Sequence, residues 1–282
     1  DVYKRQTLRC AAPGGLHGAA VQLPYPSVGA TENLLIAAAG TPAETKITGA
    51  AAEPEISDLL AYLRGCGALI ESQPDGAILV QGREALTGCC CHAILPDRIE
   101  AATYLAAAAI TGGEITVYAS PEHLAAPLAA LRRMGCRITT GEQSITLTAP
   151  EHLQGAGSIV TLPYPGFPTD LQAIFMALAA AAEGYTAFTE TVFPRRWAHV
   201  EELRRLGADI TVVGSHAVIR GAPLIGSALT CTDLRAGAAV VLAALAAKGE
   251  SSVTAISHIE RGYADFVSTL RHLGADIYLT EV

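Results

Sequence analysis

The segment Leu203-Arg204-Arg205-Leu206-Gly207-Ala208 is one of four similar segments, and their repetition decides the fold. Each one joins the end of an amphipathic helix to a strand through a glycine. The other three are Leu63-Arg64-Gly65-Cys66-Gly67-Ala68, Leu131-Arg132-Arg133-Met134-Gly135-Cys136 and Leu270-Arg271-His272-Leu273-Gly274-Ala275. The joining glycines lie 68, 72 and 67 residues apart. A period this regular indicates one folding unit repeated along the chain.

The residues that follow these glycines predict strands. The pattern over 138–140, 210–213 and 277–279 has the alternation of a half-buried strand. Each glycine stands where a helix commonly ends in left-handed backbone, which glycine adopts at little cost. A helix, a glycine and a strand therefore follow one another in each of these repeats.

A second helix in each repeat is rich in alanine and apolar on almost every side. These helices are predicted over 31–39, 97–111, 170–183 and 233–248, and each stops at a glycine. A helix without a polar face must be buried. Each repeat is thus a strand, a buried helix, a strand, an amphipathic helix and a pair of short strands. We predict an α/β fold in which the alanine-rich helices pack together and the sheets lie outside them.

The pair Leu95-Pro96 marks the predicted hinge between two domains. Proline disfavours helical backbone at the residue before it, and this proline follows the Cys89-Cys90-Cys91 run. Residues 1–95 then hold one repeat, and residues 96–282 hold three. The chain opens with Asp1-Val2-Tyr3-Lys4-Arg5-Gln6 and has no initiator methionine, so we interpret this start as truncated or misread.

Composition and charge argue against several classes of function. The 282 residues are 50% hydrophobic and carry a net charge of −8 without a Lys/Arg stripe, which disfavours nucleic acid or an anionic membrane as partner. No uninterrupted apolar stretch reaches the roughly 18 residues that cross a membrane. Seven cysteines, an odd number that includes Cys89-Cys90-Cys91, indicate a reducing compartment. We expect a cytoplasmic protein.

The predicted starts of the alanine-rich helices carry informative side chains. Thr169 with Gln172, and Asp97 with Glu100, are typical of capping boxes. Arg235 instead occupies the third position of its helix, where the dipole disfavours a cation by about 0.3–1 kcal/mol. Some other group must therefore hold Arg235.

In the last two repeats the amphipathic helices are also predicted to begin with arginine, a cation that the helix dipole disfavours there. Their predicted starts are, in chain order, Pro54-Glu55, Pro121-Glu122, Arg195-Arg196 and Arg261-Gly262. Three arginines at helix starts that face one cleft would make a receptor for a ligand with phosphate and carboxylate groups. The alternative is that each arginine pairs with a neighbouring Asp or Glu.

Seven motifs carry a family resemblance. They are Ser27-Val28-Gly29-Ala30-Thr31-Glu32-Asn33, Glu53-Pro54-Glu55-Ile56, Leu95-Pro96-Asp97-Arg98-Ile99-Glu100, Phe167-Pro168-Thr169-Asp170-Leu171-Gln172, Glu190-Thr191-Val192-Phe193, Thr232-Asp233-Leu234-Arg235-Ala236 and Ile259-Glu260-Arg261-Gly262-Tyr263. In this order they resemble the motifs of the UDP-N-acetylglucosamine 1-carboxyvinyltransferase family. The resemblance runs from about Leu23 to the C-terminus.

The resemblance implies a fold and a reaction. The family has two inside-out α/β barrel domains of three repeats each, so residues 1–95 would be the last repeat of one domain and 96–282 all of the other. The implied substrates are UDP-N-acetylglucosamine and phosphoenolpyruvate, held in the cleft between the domains. The enolpyruvyl group passes to the sugar 3-hydroxyl and phosphate is released, without a redox cofactor or an obligatory metal.

The resemblance also implies roles for particular residues. Asp170 matches the carboxylate that takes the proton of the sugar 3-hydroxyl. The phosphoenolpyruvate arginines are matched by Arg196, Arg235 and Arg261. The nucleotide-sugar residues are matched by Ser27, Val28, Gly29, Arg98, Thr169, Asp170, Val192 and Phe193.

Other features of the family do not occur in this sequence. Its N-terminal Lys-Asn pair and its mobile loop with a reactive Cys and an Arg are not found here, so we expect the chain alone to be inactive. Buried apolar roles are expected for Cys66, Cys136 and Cys231. A metal site at Cys89 to His92 is disfavoured because neighbouring side chains of a strand face opposite ways. His199 is expected to cap a helix or face solvent.

Two other functions stay open at this point. A related enzyme that acts on shikimate 3-phosphate shares the fold and uses phosphoenolpyruvate, although the motifs at Ser27 to Asn33 and Arg261 to Tyr263 favour the nucleotide sugar. The second alternative is a non-catalytic remnant, a binding or structural protein built from the same repeats.

Overall fold

The structure is a computed structural model that describes residue 7, residues 9–88 and residues 91–280. Asp1 to Gln6, Cys89 and Cys90, on which predictions were made above, lie outside the described residues. The chain divides into two compact units, Asp1–Leu95 and Pro96–Val282. No helix of the described part is long and apolar enough to cross a membrane.

The first unit contains a strand, helix, strand, helix and strand pair. The elements are β1 (Ala20–Gln22), α1 (Val28–Ala39), β2 (Glu44–Thr48), α2 (Pro54–Gly65), β3 (Leu69–Ser72) and β4 (Ile78–Gln81). The sheet order is β1-β2-β4-β3, with β1 parallel to β2 and β4 antiparallel to both of its neighbours. The Ser27 side chain caps α1 by accepting from the Ala30 N–H at 3.4 Å.

Helix α1 is buried on one side only. Leu35 and Ala39 are fully buried, whereas Ile36 on the other side is 57% exposed. The prediction of a helix buried on every side is therefore wrong for α1. The physical reason is that the described part of this unit supplies only one alanine-rich helix, so only the sheet and α2 cover it.

The elements of the second unit fall into three successive groups, divided at the period that the sequence predicts. The first consists of α3 (Arg98–Thr111), β5 (Glu114–Val117), α4 (Ala125–Arg133), β6 (Arg137–Thr140) and β7 (Ile145–Thr148). The second consists of β8 (Gly157–Val160), α5 (Gln172–Ala181), β9 (Tyr185–Thr189), α6 (His199–Arg205), β10 (Asp209–Val213) and β11 (His216–Arg220). The third consists of β12 (Ala228–Thr230), α7 (Leu234–Ala246), β13 (Ser252–Thr254) and α8 (Phe266–His272).

Each group of elements in the second unit contributes its own sheet. The strand orders are β5-β7-β6, β10-β11-β9-β8 and β12-β13. In the second and third groups the strands before and after the alanine-rich helix pair in parallel, β8 with β9 and β12 with β13. The strand pair that follows the amphipathic helix is antiparallel, as in β6 with β7 and β10 with β11.

The alanine-rich helices α3, α5 and α7 form the core of the second unit. They pack against one another, and their side chains belong to one apolar cluster. Every residue from Gln172 to Ala180 is buried, and α3 and α7 are buried along most of their lengths. The predicted burial of these three helices is confirmed.

The glycines at the helix ends are also as predicted. Gly67, Gly135, Gly207 and Gly274 have φ between 94° and 102°, a region that L-residues with a Cβ rarely adopt. The predicted strands over 138–140 and 210–213 are present as β6 and β10. The strand predicted over 277–279 is not formed. Its counterparts β6 and β10 each pair with the strand that follows them, and the described residues after 279 supply no such partner.

Candidate functional site

Two of the three central helices of the second unit begin with an aspartate cap. Asp97 Oδ1 accepts from the backbone N–H groups of Ile99 and Glu100 at 2.7 and 3.1 Å. Asp233 Oδ1 accepts from the N–H groups of Arg235 and Ala236, both at 2.9 Å. The Asp97 side of the predicted capping box is therefore confirmed, whereas the described contacts contain no return bond from the Asp97 N–H to Glu100. Arg235 is the second helical residue rather than the third, because the helix begins at Leu234.

The capping box predicted at Thr169 is wrong. A short 3-10 turn, Thr169–Leu171, precedes α5, and no side chain caps either element. The Thr169 hydroxyl instead donates to Oε2 of Glu190 at 2.9 Å. A capping hydroxyl would accept from a backbone N–H, but Oγ1 of Thr169 accepts from Nη1 of Arg196 at 3.2 Å instead. Gln172 is fully buried, and neither polar atom of its side chain has a hydrogen-bond partner in the described part of the chain.

Asp170 lies between two arginines. Its Oδ1 is 2.7 Å from Nη1 of Arg196, and its Oδ2 is 3.3 Å from Nη2 of Arg235. Burial by itself disfavours the ionised carboxylate, but the charges and hydrogen bonds of Arg196 and Arg235 outweigh it and hold the pKa of Asp170 below its usual value. The Asp170 side chain is still 38% exposed. An ionised and accessible carboxylate therefore stands beside two cations.

Arg235 contacts one side chain from the 3-10 turn before α5 and one from the turn before α8. Besides Asp170, its guanidinium carbon lies 5.4 Å from the centre of the Tyr263 ring. The Tyr263 hydroxyl is 2.9 Å from Oγ1 of Thr103 on α3. The Arg235 side chain is 12% exposed, so its charge is desolvated and its partners are strong. These contacts supply the partner that the position of Arg235 requires.

Arg196 reaches the same carboxylate from a turn. Residues 195 and 196 precede α6, which begins at His199, so the prediction that they start this helix is wrong. Arg196 Nη1 also donates to Oγ1 of Thr169 at 3.2 Å, and its guanidinium carbon lies 5.5 Å from the Phe193 ring centre. The adjacent Arg195 is exposed.

The third predicted arginine, Arg261, does not contact Asp170. Arg261 is exposed, lies in a turn rather than at the start of α8, and has no ion pair or hydrogen bond in the described part of the chain. A Cβ added at Gly262 would lie 2.7 Å from Cδ2 of Leu234, which shows that the turn packs on the first residue of α7. The structure therefore brings Arg261 to the same helix end as Arg235 but not into contact with Asp170.

Glu190 is a functional candidate that the sequence analysis missed as an individual residue. It is fully buried, and its Oε1 accepts from the Thr161 hydroxyl at 2.8 Å and from the N–H groups of Val192 and Phe193 at 2.8 and 2.9 Å. A signal existed in the strand pattern. Thr186 and Phe188 of β9 face the core, and a period of two puts residue 190 on the same face.

The remaining predicted residues occupy helix starts and the segment after β9. Arg98 is 9% exposed, and its guanidinium carbon lies 5.8 Å from the Tyr164 ring centre. Val192 is half-buried, and the Phe193 side chain is 56% exposed. In the first unit, Ser27, Val28 and Gly29 form the start of α1.

His199 and three of the described cysteines are buried. His199 is 1% exposed, its Nε2 lies 3.1 Å from Sδ of Met176, and burial lowers its pKa to about 4. The capping or solvent-facing role expected for His199 is therefore wrong, because the first turn of α6 faces α5. Apolar burial is confirmed for Cys66, Cys136 and Cys231, and burial raises the pKa of the last two to about 11.

The described residues contain no group of three His, Cys, Asp or Glu side chains that could hold a metal ion. The first two residues of the segment weighed as a metal site, Cys89 and Cys90, lie outside the described part. His92 within that segment has its Nε2 3.1 Å from Oδ1 of Asp58.

This fold defines a class of protein, the enolpyruvyl transferases. The chain resembles the crystal structure of the enolpyruvyl transferase NikO from Streptomyces tendae with a TM-score of 0.85 and 28% identity, over 96% of this chain and 69% of that one. It shares the fold alone with EPSP synthase from Acinetobacter baumannii, at a TM-score of 0.71 and 20% identity, over 95% and 65% of the two chains.

The chain belongs to the EPSP synthase (3-phosphoshikimate 1-carboxyvinyltransferase) family, whose sequence profile matches residues 4–270. Within the family its relatives include UDP-N-acetylglucosamine 1-carboxyvinyltransferase 1 of Symbiobacterium thermophilum, which is 47% identical over 96% of this chain and 61% of the relative. The UDP-N-acetylglucosamine 1-carboxyvinyltransferase of Finegoldia magna is 45% identical over 98% and 66%. The resemblance inferred from the seven motifs is confirmed. The chain spans 60–66% of the length of the curated relatives that it matches.

Proposed function

We propose that the protein transfers the enolpyruvyl group of phosphoenolpyruvate to the 3-hydroxyl of UDP-N-acetylglucosamine and releases phosphate. The observation that carries the proposal is the ionised, partly exposed Asp170 carboxylate between Arg196 and Arg235. Relatives at 45–47% identity that are named for this nucleotide sugar support the choice of acceptor. The product would serve peptidoglycan precursor synthesis in the cytoplasm.

Asp170 is proposed to accept the proton of the sugar hydroxyl. As that proton moves to the carboxylate, the sugar oxygen bonds to C2 of phosphoenolpyruvate, and a proton is added to the C3 methylene. Loss of phosphate from C2 and of one proton from C3 then leaves the enolpyruvyl ether. The proposed base is weak while two arginines neutralise it. An anionic substrate that draws these arginines to itself would raise the basicity of Asp170 at the moment of reaction.

Arg196, Arg235 and Arg261 are proposed to hold the phosphate and carboxylate of phosphoenolpyruvate. Guanidinium groups bind both kinds of anion through paired hydrogen bonds. Arg235 has a buried Nη1 without a hydrogen-bond partner in the described part of the chain. The exposed Arg261 lies on the turn that packs against the start of α7, so it can extend the positive charge at this helix end.

The nucleotide sugar is proposed to contact the remaining predicted residues. In the second unit these are Arg98, Thr169, Asp170, Val192 and Phe193. The N–H groups of Val192 and Phe193 already bind Glu190, so these two residues are expected to offer their side chains. In the first unit Ser27, Val28 and Gly29 are proposed to contact the uridine diphosphate at the start of α1, where backbone N–H groups favour anions.

Binding to the 282-residue chain tests the acceptor. Calorimetric titration of UDP-N-acetylglucosamine should give a dissociation constant that Arg98→Gln weakens by at least tenfold, because Arg98 is among the proposed nucleotide-sugar contacts. Arg195→Gln is the control, because this exposed arginine carries the same charge and is not among those contacts. Equal weakening by both variants would show that general positive charge, rather than the proposed contacts, holds the ligand.

A second titration separates the two enolpyruvyl acceptors. The family profile that matches residues 4–270 carries the name of the shikimate enzyme, so shikimate 3-phosphate is the alternative acceptor. Binding of shikimate 3-phosphate in preference to the nucleotide sugar would select that branch. Binding of neither ligand would favour a non-catalytic protein built on the same repeats.

Because the chain spans only part of its relatives, the reaction is proposed for the whole protein. Inactivity of these 282 residues by themselves stays a prediction, and phosphate release from the two substrates measures it. No nucleic acid or membrane partner and no cofactor is part of the proposal.

A further inference from the structure

We propose that Glu190 is a positioning residue, which orients Arg196 toward Asp170 through the hydroxyl of Thr169. The catalytic importance of this positioning rests on the proposed function, since Asp170 is the proposed proton acceptor. The link between Glu190 and Asp170 is a chain of three hydrogen bonds in the folded protein. It consists of Glu190 Oε2, Thr169 Oγ1, Arg196 Nη1 and Asp170 Oδ1, separated in turn by 2.9, 3.2 and 2.7 Å.

The position of Glu190 is set by its strand. It follows β9 on the face that Phe188 buries, and its own exposure is zero. A buried carboxylate is costly unless hydrogen bonds compensate for its lost hydration. Glu190 receives four, from the hydroxyls of Thr161 and Thr169 and from two backbone N–H groups. The four described partners of its carboxyl oxygens are all donors.

This environment decides the direction of the Thr169 hydroxyl. A carboxylate can only accept, so Thr169 must donate its single proton to Glu190. The lone pairs of Oγ1 are then left for another donor, and Arg196 Nη1 occupies that position. The same nitrogen donates to Asp170. Glu190 thereby holds Arg196 in place without touching it, from the buried side of the site.

Glu190 also ties together the two segments that carry the site. Thr169 precedes Asp170 in the chain, whereas Val192 and Phe193 lead to Arg196. Through its two oxygens Glu190 binds both segments, so their relative placement depends on one side chain. Thr161 strengthens the arrangement, because its Oγ1 accepts from the Thr191 N–H at 2.9 Å while it donates to Glu190.

The test measures the pKa of Asp170 by carbon-13 NMR in the 282-residue chain, without any substrate. Glu190→Gln places an N–H donor beside Thr169 and reverses the hydroxyl, so Arg196 loses its second partner and the pKa of Asp170 is expected to rise. Thr169→Val breaks the same link and is expected to give a similar rise. In the double variant the pKa of Asp170 should rise no further than in either single variant, because both changes interrupt the same chain of hydrogen bonds.

Glu202→Gln is the matched control. Glu202 is another buried carboxylate of this unit, 7% exposed, and its Oε2 accepts from the Thr230 N–H at 2.9 Å. The pKa of Asp170 should not move in this variant. An unchanged pKa in folded Glu190→Gln, or additive rises in the double variant, would overturn the proposal.

If Glu190→Gln does not fold, Thr169→Val decides the question, and an unchanged pKa of Asp170 in that variant also overturns the proposal. Because the measurement needs no ligand, it is independent of the proposed reaction. Failure of UDP-N-acetylglucosamine to bind the unmodified chain would contradict the proposed function. The NMR result alone would still decide whether Glu190 positions Arg196.

Discussion

Asp170 Oδ2 lies 3.3 Å from Nη2 of Arg235, a residue 65 positions further along the chain. This contact joins the 3-10 turn that precedes α5 to the first turn of α7, at one end of the core formed by the central helices. The cation and the anion each sit at a helix start, where the dipole favours only the anion. Their pairing explains how Arg235 is tolerated there and makes the pair the first target for substitution.

Substitution of Asp170 by Asn in a protein of the full length of its relatives should lower turnover by about 10²–10⁴-fold, the range expected when a general base is lost. Asparagine keeps the shape and one acceptor oxygen but cannot take the proton. Phosphate release from phosphoenolpyruvate and UDP-N-acetylglucosamine measures the effect. A thermal melt should show an intact fold, and near-normal turnover would remove Asp170 from the mechanism.

His199 should make stability depend on pH between about 6.5 and 4. Burial lowers its pKa in the folded state to about 4, so the unfolded chain binds the extra proton first as the pH falls. The stability is fully present above the unfolded pKa and is lost as pH falls toward the folded one. The pKa difference corresponds to about 3 kcal/mol.

Urea unfolding of His199→Gln across this range checks the effect. The variant should lose most of the pH dependence that the unmodified chain shows between pH 6.5 and 4. His216→Gln is the control, since His216 is exposed on β11 and should leave the profile unchanged. An identical profile in the His199 variant would mean that other groups cause the acid sensitivity.

Replacement of Gln172 by Met should stabilise the protein by about 1–3 kcal/mol. The buried amide of Gln172 has no hydrogen-bond partner in the described part of the chain, and an unsatisfied buried polar group carries a desolvation cost of this size. Methionine has a similar shape without that cost. Urea unfolding at pH 7 measures the difference, and a loss of stability would indicate that a water molecule satisfies the amide.

Thr103→Val is the contrasting variant for this experiment. It removes a buried hydroxyl that is hydrogen-bonded, to Tyr263 at 2.9 Å, and leaves the tyrosine hydroxyl without that partner. We therefore expect it to destabilise the protein by about 1–3 kcal/mol. Changes of opposite sign in the free energy of unfolding of the two variants would distinguish a hydrogen-bonded buried group from one without a partner.

Residues 96–282 should fold as an independent domain. This segment contains the three helices α3, α5 and α7 that cover one another, whereas α1 of the first unit keeps an exposed apolar side. Limited proteolysis of the whole chain should cut residues 1–95 first and leave a resistant fragment from about residue 96. Early cleavage within Gln172–Ala181 would contradict the domain assignment.

The sequence predicted the features that depend on local pattern. The four glycines with positive φ, the burial of three alanine-rich helices and the cap at Asp97 each follow from residue type and from the period of the helix or strand. The strand predicted over 277–279 failed because a strand needs a partner, and pattern alone does not supply one. His199 was misjudged because its exposure depends on α5, which packs against α6 in space.

By itself the sequence determined the repeated helix, glycine and strand order, the buried core and the family, since these rest on interactions within a few residues or on ordered motifs. Only the tertiary structure decided that Thr169 faces Glu190 rather than capping α5, and that Asp170 pairs with both Arg196 and Arg235. The physical reason is that a hydrogen bond or ion pair depends on distances of about 3 Å between side chains. For residues 26 and 65 positions apart, those distances are set by how the helix ends and turns pack together.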